Sequence, residues 1–115
     1  MDTPQTPEGP TAGQRRKNIL TRVEGYVCKD RMKQHGEAED NIKDISEFWT
    51  IWMTKRGLLA PGAVVTRLDV CQMMSLMKAA RKINNMHAQD NWDDDAGYQV
   101  IGAAIAESER ESKKS

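Results

Sequence analysis

Four aspartates fall within six positions in the stretch DNWDDDAGY, residues 90–98, as Asp90, Asp93, Asp94 and Asp95. Carboxylates packed this closely repel one another, so they need water, cationic partners or a metal ion to stay ionised together. At about 100° per residue, Asp90, Asp94, Tyr98, Ile101 and Ile105 share one helix face, while Asp93 and Asp95 project elsewhere. Two readings stay open. Asp90 and Asp94 turn inward and hold a cation, or Asp90 is an N-cap and its neighbours are solvated acids favoured by the helix dipole.

Other polar groups interrupt the apolar stripes. Asn41 projects between Phe48 and Trp52, and Glu37 lies four residues before it. Arg81 continues the line of Met74 and Met77, with Asp69 and Lys78 at the two edges of that stripe. Each has an ordinary structural use. Asp69 can close a capping box with Thr66. Arg81 can pair with an inward aspartate, Lys78 can lay its stem on apolar surface with its charge in water, and Asn41 can fix helix register. Asp40, Asp44 and Glu47 project away from the apolar arc and are expected in solvent. Taken as a set, the inward acids, amide and base suit one chemistry: a hard divalent cation such as Mg²⁺ bridging carboxylates and phosphate oxygens, with Lys and Arg on the phosphates.

The elements that would position these groups are helical. Ile19, Leu20, Val23, Tyr26, Val27 and Met32 recur three and four apart over residues 15–34, until His35-Gly36 stops the run. Ile42, Ile45, Phe48, Trp49, Trp52 and Met53 repeat the pattern over 39–56, and Gly57 ends it. A Pro-Gly turn in LLAPGAVV precedes Thr66, the expected N-cap of a third helix with Val70, Met73, Met74, Met77 and Ala80 on one stripe. The polar break NNMHAQD leads to a fourth helix carrying Tyr98, Ile101, Ala104 and Ile105. No stretch alternates with period two, and no phosphate-binding glycine loop or zinc-type Cys/His spacing occurs. The expected fold is an all-α four-helix bundle.

The chain has 115 residues, with 17 basic and 17 acidic side chains. Zero net charge argues against general affinity for nucleic acid or membrane surfaces. No apolar run reaches the ~18 residues of a membrane span. Cys28 and Cys71 share no motif, which suits reduced thiols in a cytoplasmic setting. Residues 1–14 and 107–115 have compositions that resist packing and are expected as untethered tails around a 15–106 domain. A core of this size is marginal alone, so self-association is expected. Trp49, Trp52, Trp92 and Tyr98 could stack on a base, although aromatics at helical spacing also serve as core.

The segments DRMKQHG, EDNIKDISEFW, LDVCQMMSLMKAAR and DNWDDDAGY together resemble a phage-encoded branch of MazG-like proteins over about residues 30–105. These are all-α nucleoside triphosphate pyrophosphohydrolases. The resemblance implies hydrolysis of a (deoxy)nucleoside triphosphate to monophosphate and pyrophosphate, with Mg²⁺ or Mn²⁺ held by acids on facing helices. It also implies assembly as dimers or tetramers with sites between subunits. By position, Glu37, Asp69 and Asp94 would bind metal or place the attacking water, with Asp90 a further metal ligand. Asn41 would assist, and Arg31, Lys78 and Arg81 would meet phosphates. The parent family's two acidic groups are thinned here to Glu37…Asn41 and Asp69…Gln72, so a nucleotide-binding or helical interaction module without hydrolysis is the alternative.

Overall fold

The computed structural model describes residues 9–30 and 37–113. Among them are four α-helices and no strand: α1 (Ala12–Glu24), α2 (Ala38–Lys55), α3 (Arg67–Asn84) and α4 (Gln89–Lys113). A π-helical segment, Gly25–Asp30, continues α1 with wider turns. The all-α expectation therefore holds as four helices packed together.

Local chemistry explains where most of these helices start and stop. Thr11 and Gln14 form a capping box at α1, the Thr11 hydroxyl accepting from the Gln14 N–H while the Gln14 amide oxygen accepts from the Thr11 N–H. Thr66 and Asp69 do the same at α3, as their spacing predicts. α2 ends in paired bonds from Gly57 N–H to the Thr54 carbonyl and from Leu58 N–H to the Met53 carbonyl. That closure needs a left-handed residue, and Gly57 supplies it at φ 72°. The chain then reverses at Pro61-Gly62, where Ala63 N–H reaches the Ala60 carbonyl and Gly62 has φ 81°. Thr50 of α2 ties this return down by accepting from the Val65 N–H at 2.8 Å.

α3 and α4 form an antiparallel pair, registered by Arg67 with Glu109 at one end and Lys78 with Asp94 towards the other. Their backbones come close where Gly102 faces Cys71; a Cβ at Gly102 would lie 3.2 Å from the Cys71 Cβ. Burial pushes the Cys71 thiol above its ordinary pKa, so it behaves as a small apolar core group. The core gathers Ala38 and Ile42 of α2, Val65, Val70 and Cys71, and Ile101 and Ile105 of α4. α1 lies against α4, with Val23 buried.

Several expectations shift. The first helical run was expected over 15–34; α1 starts earlier, at Ala12, inside the composition-based N-terminal tail, and the α-helix gives way to π turns after Glu24. α4 runs on to Lys113, past the expected boundary at 106. Arg110 and Lys113 in its last turn suit the dipole, and Glu109 pairs with Arg67. On α3 the buried face is Val70, Cys71, Ser75 and Lys78, whereas Met73 and Met77 are exposed. Val70 of the expected stripe is fully buried and Met74 packs against the core, so only its outer edge is exposed. Ile42 is fully buried at the centre of the cluster, so Ile42→Ala is expected to lower the unfolding free energy by about 2–5 kcal/mol. Thr66→Ala, which removes one cap, is expected to cost about 1 kcal/mol. Urea unfolding at one fixed protein concentration checks both.

Candidate functional site

The opening turns of α4 hold the aspartate cluster, and each carboxylate goes its own way. Consecutive helical positions are rotated by about 100°, so Asp93, Asp94 and Asp95 reach three different neighbours. Asp93 is only 4% exposed. It accepts from Arg22 Nε of α1 at 2.8 Å and from Gln89 Nε2 at 2.9 Å. Asp94 accepts from the buried Lys78 Nζ at 2.8 Å. Asp95 accepts from Lys82 Nζ at 2.8 Å and from the Ser75 hydroxyl. Gln99 Nε2 donates to Ser75 at 2.9 Å, extending this chain of bonds. Lys82 also sits 3.9 Å above the Trp92 ring, whose indole N–H donates to the Met86 carbonyl. Three acids thus meet three cations. Asp90 is exposed in the first turn, as a solvated dipole partner would be.

The inward and outward aspartates are therefore not the expected ones. Asp93 and Asp95 point into the protein, Asp94 is half-exposed and Asp90 faces water. The buried line of α4 is Asp93, Gly97, Ile101 and Ile105, each four apart. Gly97 belongs on it because Val27 of the π segment packs there; a Cβ would meet Val27 Cγ1 at 3.3 Å. A glycine carries no apolar signal, so Tyr98 set the phase in the sequence instead.

The remaining candidates are spread out. Glu37 is the exposed N-cap of α2 and makes no side-chain cap bond. Asn41 is half-buried beside it, and Asp69 is exposed and engaged in the α3 capping box. Arg81 is exposed, and Arg31 lies outside the described residues. Asp69 and Lys78 are nine residues apart on one helix, about 14 Å along its axis, and Asp94 sits on Lys78. A single chain therefore does not bring Asp69 and Asp94 together, and the grouping of Glu37, Asp69 and Asp94 is not assembled within one copy. Among the described residues no three His, Cys, Asp or Glu side chains come together as a metal site. Among the described residues the acidic oxygens of one chain do not gather into a closed cage for Mg²⁺ or Mn²⁺.

What the fold does build is a cavity of about 190 Å³ beside the cluster. Tyr26, Val27, Asp94, Gly97, Tyr98 and Ile101 line it, with Asp93 at its base. Asp94 Oδ2 is bonded to Lys78, and Oδ1 makes no hydrogen bond among the described residues. Reasoning from the sequence missed Arg22, Gln89, Ser75 and Lys82. Only the four-residue spacing of Lys78 and Lys82 opposite an acidic run signalled a charge ladder.

Asp93 and Asp95 both titrate below the ordinary carboxylate range. Burial pushes each up, but hydrogen bonds and charge from Arg22 with Gln89, and from Lys82 with Ser75, outweigh it. A carboxyl held below its unfolded value adds stability that is present above about pH 4 and is lost as pH falls through the folded value. Asp93→Asn is therefore expected to cost about 1–3 kcal/mol at neutral pH. The gap to the unmodified protein should narrow as pH drops below about 4, read from urea unfolding at several pH values.

No solved structure matches the chain. It is 35% identical over 84 residues to the Gene 55 protein of Mycobacterium phage L5, covering 73% of this chain and 49% of that protein. It is 28% identical over 82 residues to the Gene 55 protein of Mycobacterium phage D29, covering 71% and 49%. The chain spans about half the length of these curated relatives. No helix of the described residues is long and apolar enough to cross a membrane. The family model described as "Domain of unknown function (DUF6378)" matches residues 18–106, most of the described helices, and the chain belongs to that family.

Proposed function

We propose that the protein is a (d)NTP pyrophosphohydrolase of the MazG-like kind, dependent on Mg²⁺ or Mn²⁺ and working as a homodimer or homotetramer in the host cytoplasm during phage replication. The observation that carries this reading is Asp94. Of Asp93, Asp94 and Asp95 it is the one with an oxygen that makes no hydrogen bond among the described residues, and it stands on a cavity wall with two tyrosines and a buried lysine behind it. Its position also falls in the DNWDDDAGY segment on which the family resemblance rests.

Two features bear on how such a site would work. The cavity of about 190 Å³ is smaller than the ~300 Å³ of a typical small-molecule site, so it accommodates part of a nucleotide. Since the carboxylates of one chain do not form a metal cage, the remaining ligands are assigned to a neighbouring copy. In that arrangement Asp94 Oδ1 holds or orients the attacking water, and Lys78 neutralises charge developing on phosphate. Tyr26 and Tyr98 offer rings to a base or ribose. A metal bound at the completed site would supply Lewis-acid stabilisation of the phosphate oxygens.

A second reading, nucleotide binding without hydrolysis, is favoured by the absence of three gathered acidic ligands among the described residues. Incubating the protein with each (d)NTP and Mg²⁺ or Mn²⁺ separates the two. Pyrophosphate and monophosphate are expected from at least one nucleotide, with a loss of about 100-fold or more in Asp94→Asn. That variant keeps an oxygen for Lys78 and removes the charge. Calorimetric binding with no pyrophosphate from any nucleotide would establish the second reading and end the first.

A further inference from the structure

α2 is apolar over more than half its circumference, with Glu39, Lys43, Glu47 and Thr54 on the remaining side. Its inner stripe of Ala38, Ile42, Ile45, Trp49 and Met53 packs into or against the core. Its outer stripe is Asp44, Phe48, Ile51, Trp52 and Lys55, at spacings of four, seven, eight and eleven. Phe48 is 71% exposed, Ile51 55% and Trp52 66%. The core covers only part of that arc, and a run of exposed aromatic and branched side chains this dense marks an interaction surface. The radius of gyration, 18.8 Å, also exceeds the ~13 Å of a compact chain of this length.

We propose that two copies of this chain pair α2 against α2, antiparallel, about a two-fold axis passing near Trp49 and Thr50. The charges identify the partner. Asp44 lies four residues before Phe48, and Lys55 lies four residues after Ile51, so the stripe has an acid and a base equally far from its apolar centre. Antiparallel pairing therefore places Phe48 on Ile51 of the partner subunit and Asp44 opposite Lys55 of the partner subunit, twice by symmetry. Neither Asp44 nor Lys55 has an ion pair among the described residues of its own chain. An unrelated partner requires no such symmetry, and a membrane surface favours a basic rather than a balanced face. Beside Ile51 an open groove of about 490 Å³, walled by Thr50, Ile51, Val64 and Val65, has room for an aromatic ring from the second copy. The exposed stripe of α3, with Met73, Leu76 and Met77, has Arg81 four residues beyond Met77, but its acid, Asp69, is held in the α3 capping box, so that stripe is not assigned.

The interface stands apart from the reaction proposed above, because its test reads mass and not turnover. Sedimentation equilibrium of the full chain is expected to show a dimer forming at micromolar concentration. Asp44→Lys and Lys55→Asp should each weaken association by about tenfold or more, since each sets like charges against each other twice. The exchange D44K/K55D should restore it, and mixing the two single variants should yield a heterodimer. All these positions are exposed, so unchanged circular dichroism and melting confirm that each variant folds. A chain that stays monomeric to high concentration overturns the proposal. So does a dimer that ignores Asp44→Lys and Trp52→Glu yet dissociates with Leu76→Glu.

Discussion

Three consecutive aspartates and three cations tie α1 and α3 to the start of α4, beside the close approach of Val27 to Gly97. A carboxylate as buried as Asp93 is tolerable only with its charge answered at hydrogen-bond distance, and Arg22 and Gln89 answer it. The adjacent acids are met by Lys78 and Lys82 from α3, one turn apart. Because each successive residue on a helix is rotated by about 100°, a run of three can clasp elements on three sides. The zero net charge of the whole chain is thus reproduced inside one small cluster. Arg22 ties α1 to α4 through Asp93, while Gln89 meets the same carboxylate from within α4.

The aliphatic core beneath the cluster is small, and the way it is filled explains the distribution of larger side chains. Gly97 and Gly102 let Val27 and Cys71 approach the α4 backbone, while Ser75 supplies a hydroxyl where a larger residue would block Asp95. Tight helix approach selects small residues, so bulky ones are displaced to the outer faces. Phe48, Trp52, Leu76 and Ile83 end up exposed in a single chain for that reason. The apolar area needed for stability is only partly used by one copy, as expected of a chain this short.

What could be read from the sequence follows the same division. Thr66-x-x-Asp69, Gly57 and Pro61-Gly62 act through local bonds and fixed backbone angles, so the start of α3, the end of α2 and the turn between them were legible. The faces of α3 and α4 were not. Periodicity assigns the most apolar side to the interior, yet on α3 the interior side carries Cys71, Ser75 and Lys78, and on α4 it carries Asp93 and Gly97. A phase error of about one position put Asp93 on the outer side on paper, while Asp90, left open between an inward ligand and a helix-start acid, is exposed. The π turns after Glu24 were equally invisible, having no distinct residue signature. Site residues inherited these errors: Lys78 was placed too far towards solvent, and Arg22 was passed over.

The chemistry available to the cluster is limited by its own ion pairs. Asp93 and Asp95 are held ionised by hydrogen bonds that lower their affinity for protons, which makes them poor bases and leaves them few free lone pairs. Asp94 differs on both counts that matter for reactivity: its side chain is 42% exposed, and one oxygen is unbonded at the cavity wall. One carboxylate beside one buried ammonium can orient a water molecule and meet a phosphate, but it cannot enclose a divalent ion. Glu37 and Asp69, the other acids that suit such an ion, lie at the starts of α2 and α3, and within one chain Asp69 stands well over 10 Å from Asp94 by helix geometry. The proposed nucleotide hydrolysis would therefore draw acids from more than one copy, and the outer face of α2, exposed at Phe48, Ile51 and Trp52, is the surface proposed to receive the second one.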